Sequence, residues 1–310
     1  MKEKVLITGG AGFLGNKLIE HLGYDKYSFI IVDNFSIETP YKREHNKLLE
    51  NKGVKIFNCN VSEVKKYREV LYEIDVVVYM AGLNSVTESN DKQELYEQEN
   101  ILNLQKFLGG IGDNNSIRKF ILTSSRAVYG DNSNKLITET QPLTPMSIYG
   151  NSKLCQEQII SKFSQDRDIS LDIFRIFNIF GEDQGKYYDH IGVIPMLYKR
   201  IIDNDVTLDG NGEITRDYIY VGDVVKVLER AVSLKDKGIN IYNLGTGMPV
   251  SLNDLCKYFR SIGYEFDINR KVECKDVMYS VADNHKLKEK FKPMSFTAVK
   301  QFILSNYGIL

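Results

Sequence analysis

This chain of 310 residues has little cysteine, little histidine and almost no net charge. With four residues of each type and a formal charge of −1, it has no basic excess to attract nucleic acid, and we expect no nucleic-acid partner. The cysteines are scattered without Cys-x-x-Cys spacing, and the histidines lack metal-ligand spacing. We therefore expect free thiols in a reducing cytoplasm, and no metal site.

Long apolar runs are also missing. No stretch approaches the 18 apolar residues typical of a membrane span, and the N-terminal apolar run leads directly into a glycine-rich turn rather than forming a signal peptide. We expect a cytoplasmic protein without membrane contact. No low-complexity tract or linker separates the halves, so the length predicts one large or two moderate domains.

Short β-branched runs alternate with helical segments through the first half of the sequence. Six strands are predicted at residues 4–8, 29–32, 55–59, 75–79, 119–123 and 171–175. This alternation predicts a parallel sheet covered on both faces, in a Rossmann-type doubly wound α/β fold. After Arg175 the strands shorten and loops take over, so we expect a dinucleotide-binding domain at 1–172 and a smaller, substrate-binding α/β lobe at 173–310.

The first predicted strand ends in a glycine-rich turn with Gly9, Gly12 and Gly15, and a helical segment follows. Glycines in this pattern allow a tight turn and a close backbone approach to a pyrophosphate at a helix N-terminus. Asp33 ends the second strand, where a carboxylate accepts from ribose hydroxyls and repels a 2′-phosphate. The pattern favours NAD over NADP, although Asp33 could instead only cap a turn.

Tyr149 and Lys153 are the second informative feature. Their spacing places them on one face of a helix, so that the ammonium can lie beside the phenol and favour its phenolate. The pair then forms a general base. Taken alone, a tyrosine and a lysine at this spacing are more often a solvated amphipathic pair.

Together these motifs resemble the extended short-chain dehydrogenase/reductases, in the NAD-dependent sugar-nucleotide epimerase/dehydratase family, over nearly the whole chain. Within that family the chain most resembles the UDP-glucose 4-epimerases. The matching segments are 9–15, 33–36, 81–86, 123–131, 149–153, 175–178, 216–221 and 242–247.

The resemblance implies roles for particular residues. It implies a catalytic set of Ser125, Tyr149 and Lys153, in which Ser125 hydrogen-bonds the substrate oxygen, Tyr149 exchanges the proton, and Lys153 holds the nicotinamide ribose and lowers the tyrosine pKa. The implied NAD contacts are Gly9, Gly12, Phe13, Leu14, Gly15, Asp33, Asn34, Asn60, Val61, Ala81, Gly82, Leu83, Asn84, Asn100, Tyr149, Lys153 and Phe177. The implied contacts with a nucleotide-diphosphate sugar are Ser125, Tyr149, Asn178, Val193, Arg216 and Ser280.

Four positions depart from the family pattern. Asn60 stands where the family usually has aspartate, but its carbonyl can still accept from the adenine amino group. Asn84 replaces a lysine beside the nicotinamide. Glu273 replaces a second diphosphate-binding arginine, so Lys271 or Lys275 would have to compensate. Ser280 replaces a bulky tyrosine at the position that gates the sugar pocket. It would leave room there for an N-acetyl group, unless Tyr279 or Met278 fills the position instead.

The residues after Ser125 separate the reactions of the family. Dehydratases carry an Asp-Glu pair there, whereas this chain has Arg126-Ala127 and lacks the general acid and base for elimination. We therefore expect a 4-epimerase acting through a 4-keto sugar. The alternatives are a nucleotide-4-keto-6-deoxysugar reductase using NAD(P)H and a non-catalytic NAD-sensing scaffold, although the latter would be expected to have lost a catalytic residue.

The family usually dimerises through two helices, which implies a homodimer. The apolar residues suited to that contact are Leu154, Ile159, Ile160, Leu102, Leu104 and Phe107, which could instead pack inward on the sheet. Other residues also have two interpretations. Phe177 fits a core position as well as a nicotinamide contact, Arg175 fits a structural ion pair better than a ligand contact, and Asn243 fits a turn.

Overall fold

The computed structural model describes residues 2–36, 39–111, 116–131, 135–187, 192–271, 277–292 and 294–308. The chain forms two compact units. The first comprises Met1–Gly130, Leu143–Arg175 and Val225–Tyr242, and the second Asp131–Pro142, Ile176–Val224 and Asn243–Leu310. The division at residues 172 and 173 stays a prediction of the domain boundary.

The described strands are numbered in chain order. They are β1 (Glu3–Thr8), β2 (Tyr27–Asp33), β3 (Lys55–Asn58), β4 (Val76–Tyr79), β5 (Lys119–Ser125), β6 (Ser170–Ile176), β7 (Asn178–Phe180), β8 (Thr207–Asp209), β9 (Thr215–Tyr220), β10 (Ile239–Leu244), β11 (Pro249–Ser251), β12 (Asn269–Lys271) and β13 (Tyr279–Ser280).

The described helices follow the same numbering. They are α1 (Phe13–Leu22), α2 (Pro40–Asn51), α3 (Arg68–Leu71), α4 (Val86–Asp91), α5 (Gln93–Tyr96), α6 (Asn103–Ile111), α7 (Ile148–Asp166), α8 (Gln184–Tyr187), α9 (Val193–Ile202), α10 (Val221–Ser233), α11 (Leu252–Arg260), α12 (His285–Lys290) and α13 (Val299–Asn306). Two 3₁₀ turns span Val64–Lys66 and Arg126–Tyr129, and a π-helical segment spans Glu97–Leu102.

The first unit is built on a sheet of seven strands in the order β10-β6-β5-β4-β1-β2-β3. The neighbours from β3 to β5 pair in parallel. All six predicted strands are present, with bounds shifted by at most two residues. The doubly wound α/β fold expected from the sequence is therefore confirmed.

Burial explains why these apolar runs form the centre of the sheet. All four residues of β4 are completely buried, which is the pattern of a parallel strand covered on both faces. On one side, a core cluster joins strand residues such as Leu6 and Val77 to helix residues such as Leu104 and Ile160. The parallel strands bring their carboxyl ends to one edge of the sheet, where β1, β2 and β5 present Gly9, Asp33 and Ser125.

The second unit is organised around β9. This strand pairs antiparallel with β11 and in parallel with both β13 and β7. A separate core of aliphatic and aromatic side chains includes Phe180, Leu197 and Phe259. Within the described part of the chain, no helix is long and apolar enough to cross a membrane. No group of three His, Cys, Asp or Glu residues that could hold a metal ion occurs there either.

Candidate active site

The glycine-rich turn between β1 and α1 is packed too tightly for side chains. A Cβ atom on Gly15 would lie 2.5 Å from the carbonyl oxygen of Gly10. Gly12 is the N-cap residue of α1 and offers no side-chain cap to its amides. Phe13 is buried and Leu14 is half-buried. The turn thus brings bare backbone to a helix N-terminus, which suits a phosphate group.

Asp33 lies buried at the end of β2 and is held in place by three donors. Its carboxylate accepts from the backbone N–H of Ala11 at 3.1 Å and from that of Phe35 at 2.9 Å. The Lys42 Nζ atom lies 3.5 Å from Oδ1 and 5.2 Å from the centroid of the Phe35 ring. Sequence reasoning missed Lys42, because a lysine in the first turn of a helix carries no signal of facing a strand end. Its charge offsets part of the negative charge of Asp33.

The expected adenine contacts are only partly available. Asn34 is exposed and Val61 is buried. The side-chain carbonyl of Asn60 already accepts from the backbone N–H of Ser62 at 3.0 Å and from its hydroxyl at 2.9 Å. A contact between this carbonyl and the adenine amino group would therefore have to displace the Ser62 hydroxyl.

A buried asparagine fixes the loop that follows β4. Asn100 Oδ1 accepts from Leu83 N at 2.7 Å, and Nδ2 donates to Leu83 O at 3.0 Å and to Ser152 Oγ at 2.8 Å. Asn100 thus links this loop to α7, the helix that carries Tyr149 and Lys153, and it does so from the π-helical segment Glu97–Leu102. In the same loop Ala81 and Leu83 are half-buried, whereas Gly82 and Asn84 are exposed.

Ser125 and Tyr149 form a hydrogen-bonded pair. Ser147 caps the helix that begins at Ile148, accepting from Gly150 N at 3.0 Å, so Tyr149 lies in the first turn. A Cβ atom on Gly150 would lie 2.6 Å from the carbonyl oxygen of Ala127. This close approach of α7 to the 3₁₀ turn after Ser125 is what lets the two hydroxyls meet.

Burial raises the pKa of the Tyr149 phenol, while the hydrogen bond from Ser125 and the positive charge of Arg126 lower it. Lys153 was expected to supply a positive charge beside the phenol. Lys153 Nζ donates to Thr123 O at 3.1 Å and to Gln156 Oε1 at 3.0 Å. The positive charge of Arg126 favours the phenolate. Lys153 lies one helical turn beyond Tyr149 on α7, and its expected effect on the phenol stays a prediction.

Lys153 is itself perturbed. Burial lowers the pKa of its ammonium to about 8, and the negative charge of Glu157 opposes that shift. The protein atoms named above use two of its three donors. A buried ammonium beside the carboxyl ends of the strands can hold a ribose hydroxyl with the remaining donor.

The predicted substrate residues of the second unit gather around β9. Arg216 is buried on this strand and donates from Nη1 to Thr215 O at 3.0 Å. Ser280 is its partner on β13, and Asn178 is the partner of Tyr218 on β7. Asn178 Oδ1 and Ser280 Oγ are buried without a hydrogen-bond partner in the described structure. Two of the three side chains thus have a polar atom with bonding capacity to spare.

The remaining predicted residues have varied surroundings. Val193 is half-buried at the start of α9, and Phe177 is buried. Arg175 makes the structural ion pair that its sequence context favours, with Glu157 at 2.7 Å. The described residues do not include Glu273, Cys274, Lys275 or His190. The expectations for these residues stay predictions.

Comparison with known proteins identifies the family. Residues 5–245 match the sequence profile of the NAD dependent epimerase/dehydratase family. The chain belongs to that family. It is 30% identical over 302 residues to the UDP-glucose 4-epimerase of Bacillus subtilis (strain 168), covering 90% of this chain and 85% of the relative. The resemblance stated from the sequence is confirmed.

Solved structures of epimerase/dehydratase relatives extend the comparison over almost the whole chain. The UDP-N-acetylglucosamine 4-epimerase from Methanobrevibacter ruminantium M1 superposes with a TM-score of 0.84 at 26% identity, covering 98% of this chain and 100% of that one. The UDP-glucuronic acid 4-epimerase from Bacillus cereus, in complex with UDP-glucuronic acid and NAD, gives a TM-score of 0.87 at 25% identity, with 98% of each chain covered.

The residues of the first unit fit the NAD that this family requires. The glycine-rich turn at Gly15 leaves main-chain atoms accessible to a pyrophosphate, and Asp33 lies at the strand end where a ribose is recognised. The sequence motifs thus led to residues that the fold brings together. These motifs did not lead to Lys42, Glu157 or Gln156, whose roles depend on contacts across the fold. For Glu157 there is one local signal, since it follows Lys153 by one helical turn.

Proposed function

We propose that this chain is an NAD-dependent 4-epimerase of a nucleoside-diphosphate sugar. The observation that carries the proposal is the hydrogen-bonded Ser125–Tyr149 pair, with buried Lys153 one turn along the same helix and no carboxylate directly after Ser125. The 4-epimerase activities named for the relatives support it. The substrates in those names favour a UDP-hexose or a UDP-N-acetylhexosamine.

The residues of this chain have separate roles in the proposed reaction. Bound NAD would supply the acceptor, and then the donor, of the hydride at C4 of the sugar. Tyr149 takes the proton from the C4 hydroxyl and gives it back to the 4-keto oxygen, and Ser125 hydrogen-bonds that oxygen throughout. Arg126 favours the phenolate form of Tyr149. Lys153 holds the nicotinamide ribose.

The second unit supplies candidates for the diphosphate and sugar. Arg216 offers a planar fork of donors to phosphate oxygens, and the Asn178 carbonyl has unused acceptor capacity. Val193 and Ser280 complete the proposed set. We also propose that the protein is cytoplasmic, which the free thiols of Cys59, Cys155 and Cys256 support, and that it forms a homodimer.

A dimer contact cannot use all the residues suggested by the sequence. Leu104, Phe107 and Ile160 are completely buried in the core of the first unit, so they were wrongly assigned to an interface. Leu102 is 37% exposed, and Leu154 and Ile159 are half-buried. These three remain candidates.

The test combines a substrate assay with a cofactor analysis. Purified protein is incubated with UDP-glucose and with UDP-N-acetylglucosamine, and inversion at C4 is followed by proton NMR. In parallel, the nucleotide released on denaturation is identified by mass spectrometry. Conversion without added cofactor, together with bound NAD near one per chain, supports a 4-epimerase. An empty site, no inversion, and NAD(P)H consumed in step with reduction of a 4-keto sugar would instead establish the reductase.

A further inference from the structure

Glu157 is a buried carboxylate that the mechanism above leaves unused. It lies one helical turn beyond Lys153 on α7 and is almost completely buried. Burying a carboxylate is costly unless it is paired and hydrogen-bonded, so its partners indicate what it does there.

The partners of Glu157 lie on the two neighbouring strands. Ser124 Oγ on β5 donates to Oε1 at 2.5 Å. Arg175 on β6 donates from Nε to Oε1 at 3.0 Å and from Nη2 to Oε2 at 2.7 Å. Ser124 directly precedes Ser125, so one carboxylate ties the helix of Tyr149 to the strand that carries Ser125.

The same network reaches the chain on the other side of Ser125. Arg175 Nη1 donates to the Tyr129 hydroxyl at 2.9 Å, and its guanidinium lies 4.9 Å from the centroid of the Tyr129 ring. Tyr129 ends the 3₁₀ turn that begins immediately after Ser125. Ser125 is therefore anchored through the residue before it and through the turn after it.

The charges around Lys153 give Glu157 a second role. On α7, Glu157 follows Lys153 by one helical turn and Tyr149 precedes it by one turn. From β6, the Arg175 cation faces the carboxylate of Glu157, and from the π-helical segment the main-chain carbonyl of Asn100 accepts from Gln156 Nε2 at 2.8 Å. Glu157 is the negative charge that stabilises the ammonium against burial.

We propose that Glu157 is a positioning residue of this active site, which holds Ser125 opposite Tyr149 and keeps Lys153 charged. The proposal rests on the proposed function. Ser124, Arg175 and Tyr129 carry the effect of Glu157 to Ser125 through hydrogen bonds, and its charge acts on Lys153 directly.

The test is Glu157→Gln, which keeps the shape of the side chain but removes its charge. We expect kcat to fall at least about tenfold while KM changes less than about threefold, because the reacting groups lose alignment rather than affinity. The alkaline limb of the pH–rate profile should move to lower pH by about half a unit or more, because the Lys153 ammonium loses its stabilising charge.

The matched control is Asp172→Asn. Asp172 on β6 pairs with Lys119 on β5 at 2.6 Å, and both side chains are as buried as those of Glu157 and Arg175. This variant also removes a charge from a buried ion pair, which here joins β6 to β5. We expect its melting temperature to fall while its kcat and pH profile stay as in the wild type.

Three outcomes are decisive. A wild-type kcat and pH limb in Glu157→Gln would overturn the proposal, as would an equal shift of the limb in Asp172→Asn. If Glu157→Gln does not fold, Glu157→Gln combined with Arg175→Met removes both buried charges, and the same displaced limb is expected.

A second measurement needs no substrate: the pKa of Lys153 is followed by NMR on ¹³C-dimethylated lysines. A lower Lys153 pKa in the variant, with no turnover by the wild type, would overturn the proposed function alone.

Discussion

Replacing Tyr149 by phenylalanine removes one oxygen atom and with it the proposed proton exchange. The ring lies in a cluster with Tyr96 and Ala127 and is only 8% exposed, so its packing is unchanged by the substitution. Ser125 Oγ still accepts from Ala127 N at 3.2 Å and keeps its place. The fold and the glycine-rich turn are therefore expected to be unaffected.

The expected loss of rate follows from the role of the phenol. General acid–base catalysis contributes about 10²- to 10⁴-fold, which corresponds to about 3 to 5 kcal/mol of barrier. Losing the hydrogen bond to Ser125 costs only about 1 kcal/mol of stability. Turnover of UDP-sugar, followed by NMR, should fall by at least about a hundredfold, while the affinity for NAD measured by calorimetry stays within about threefold.

Tyr27→Phe is the matched control. Tyr27 is 7% exposed, and its hydroxyl lies 3.0 Å from Ser233 Oγ. The control therefore loses a buried tyrosine–serine hydrogen bond at the start of β2 and should keep its full rate. If Tyr149→Phe keeps more than about a tenth of the wild-type rate, a barrier change below about 1.4 kcal/mol, Tyr149 is not the base.

Three further predictions concern the cofactor, the sugar and the assembly. Calorimetry should show NAD(H) binding at least about tenfold tighter than NADP(H), and Lys42→Met should widen the gap because this lysine offsets the charge of Asp33; equal wild-type affinities would refute the role of Asp33. Ser280→Tyr should lower activity on an N-acetylhexosamine nucleotide at least about tenfold more than on the hexose, with the melting temperature as a check on overpacking; an equal loss on both would show that Ser280 is no gate. Light scattering at micromolar concentration should give a dimer mass that Leu102→Glu reduces to a monomer, and a monomeric wild type would contradict the interface.

Local signals account for the parts of the site that the sequence predicts well. The glycine-rich turn, Asp33 and the Tyr149–Lys153 spacing each combine a short-range geometric constraint with a strand or helix that the apolar pattern already indicates. Because parallel strands bring their carboxyl ends to one edge, these separated motifs were expected to converge.

Local sequence signals do not predict which side chains contact each other across the fold. Helical spacing puts Lys153 and Tyr149 on one face, but it does not show that a strand carbonyl and Gln156 would hold the ammonium. Likewise an apolar stripe does not distinguish a core face from an interface, which is why Leu104 and Phe107 were misassigned.

The π-helical segment Glu97–Leu102 makes the site intolerant of a change in chain length. Such a segment is equivalent to an insertion into an α-helix, and losing one residue from it would restore regular winding. The wide turn absorbs the extra residue, so the deletion would leave the flanking helical parts in register and would change the direction of the side chains within the segment itself. Asn100 would then turn away from Leu83 and Ser152. Substitutions at the exposed positions of the segment should be accepted more readily than any single deletion, so its length, more than its composition, is what mutation must preserve.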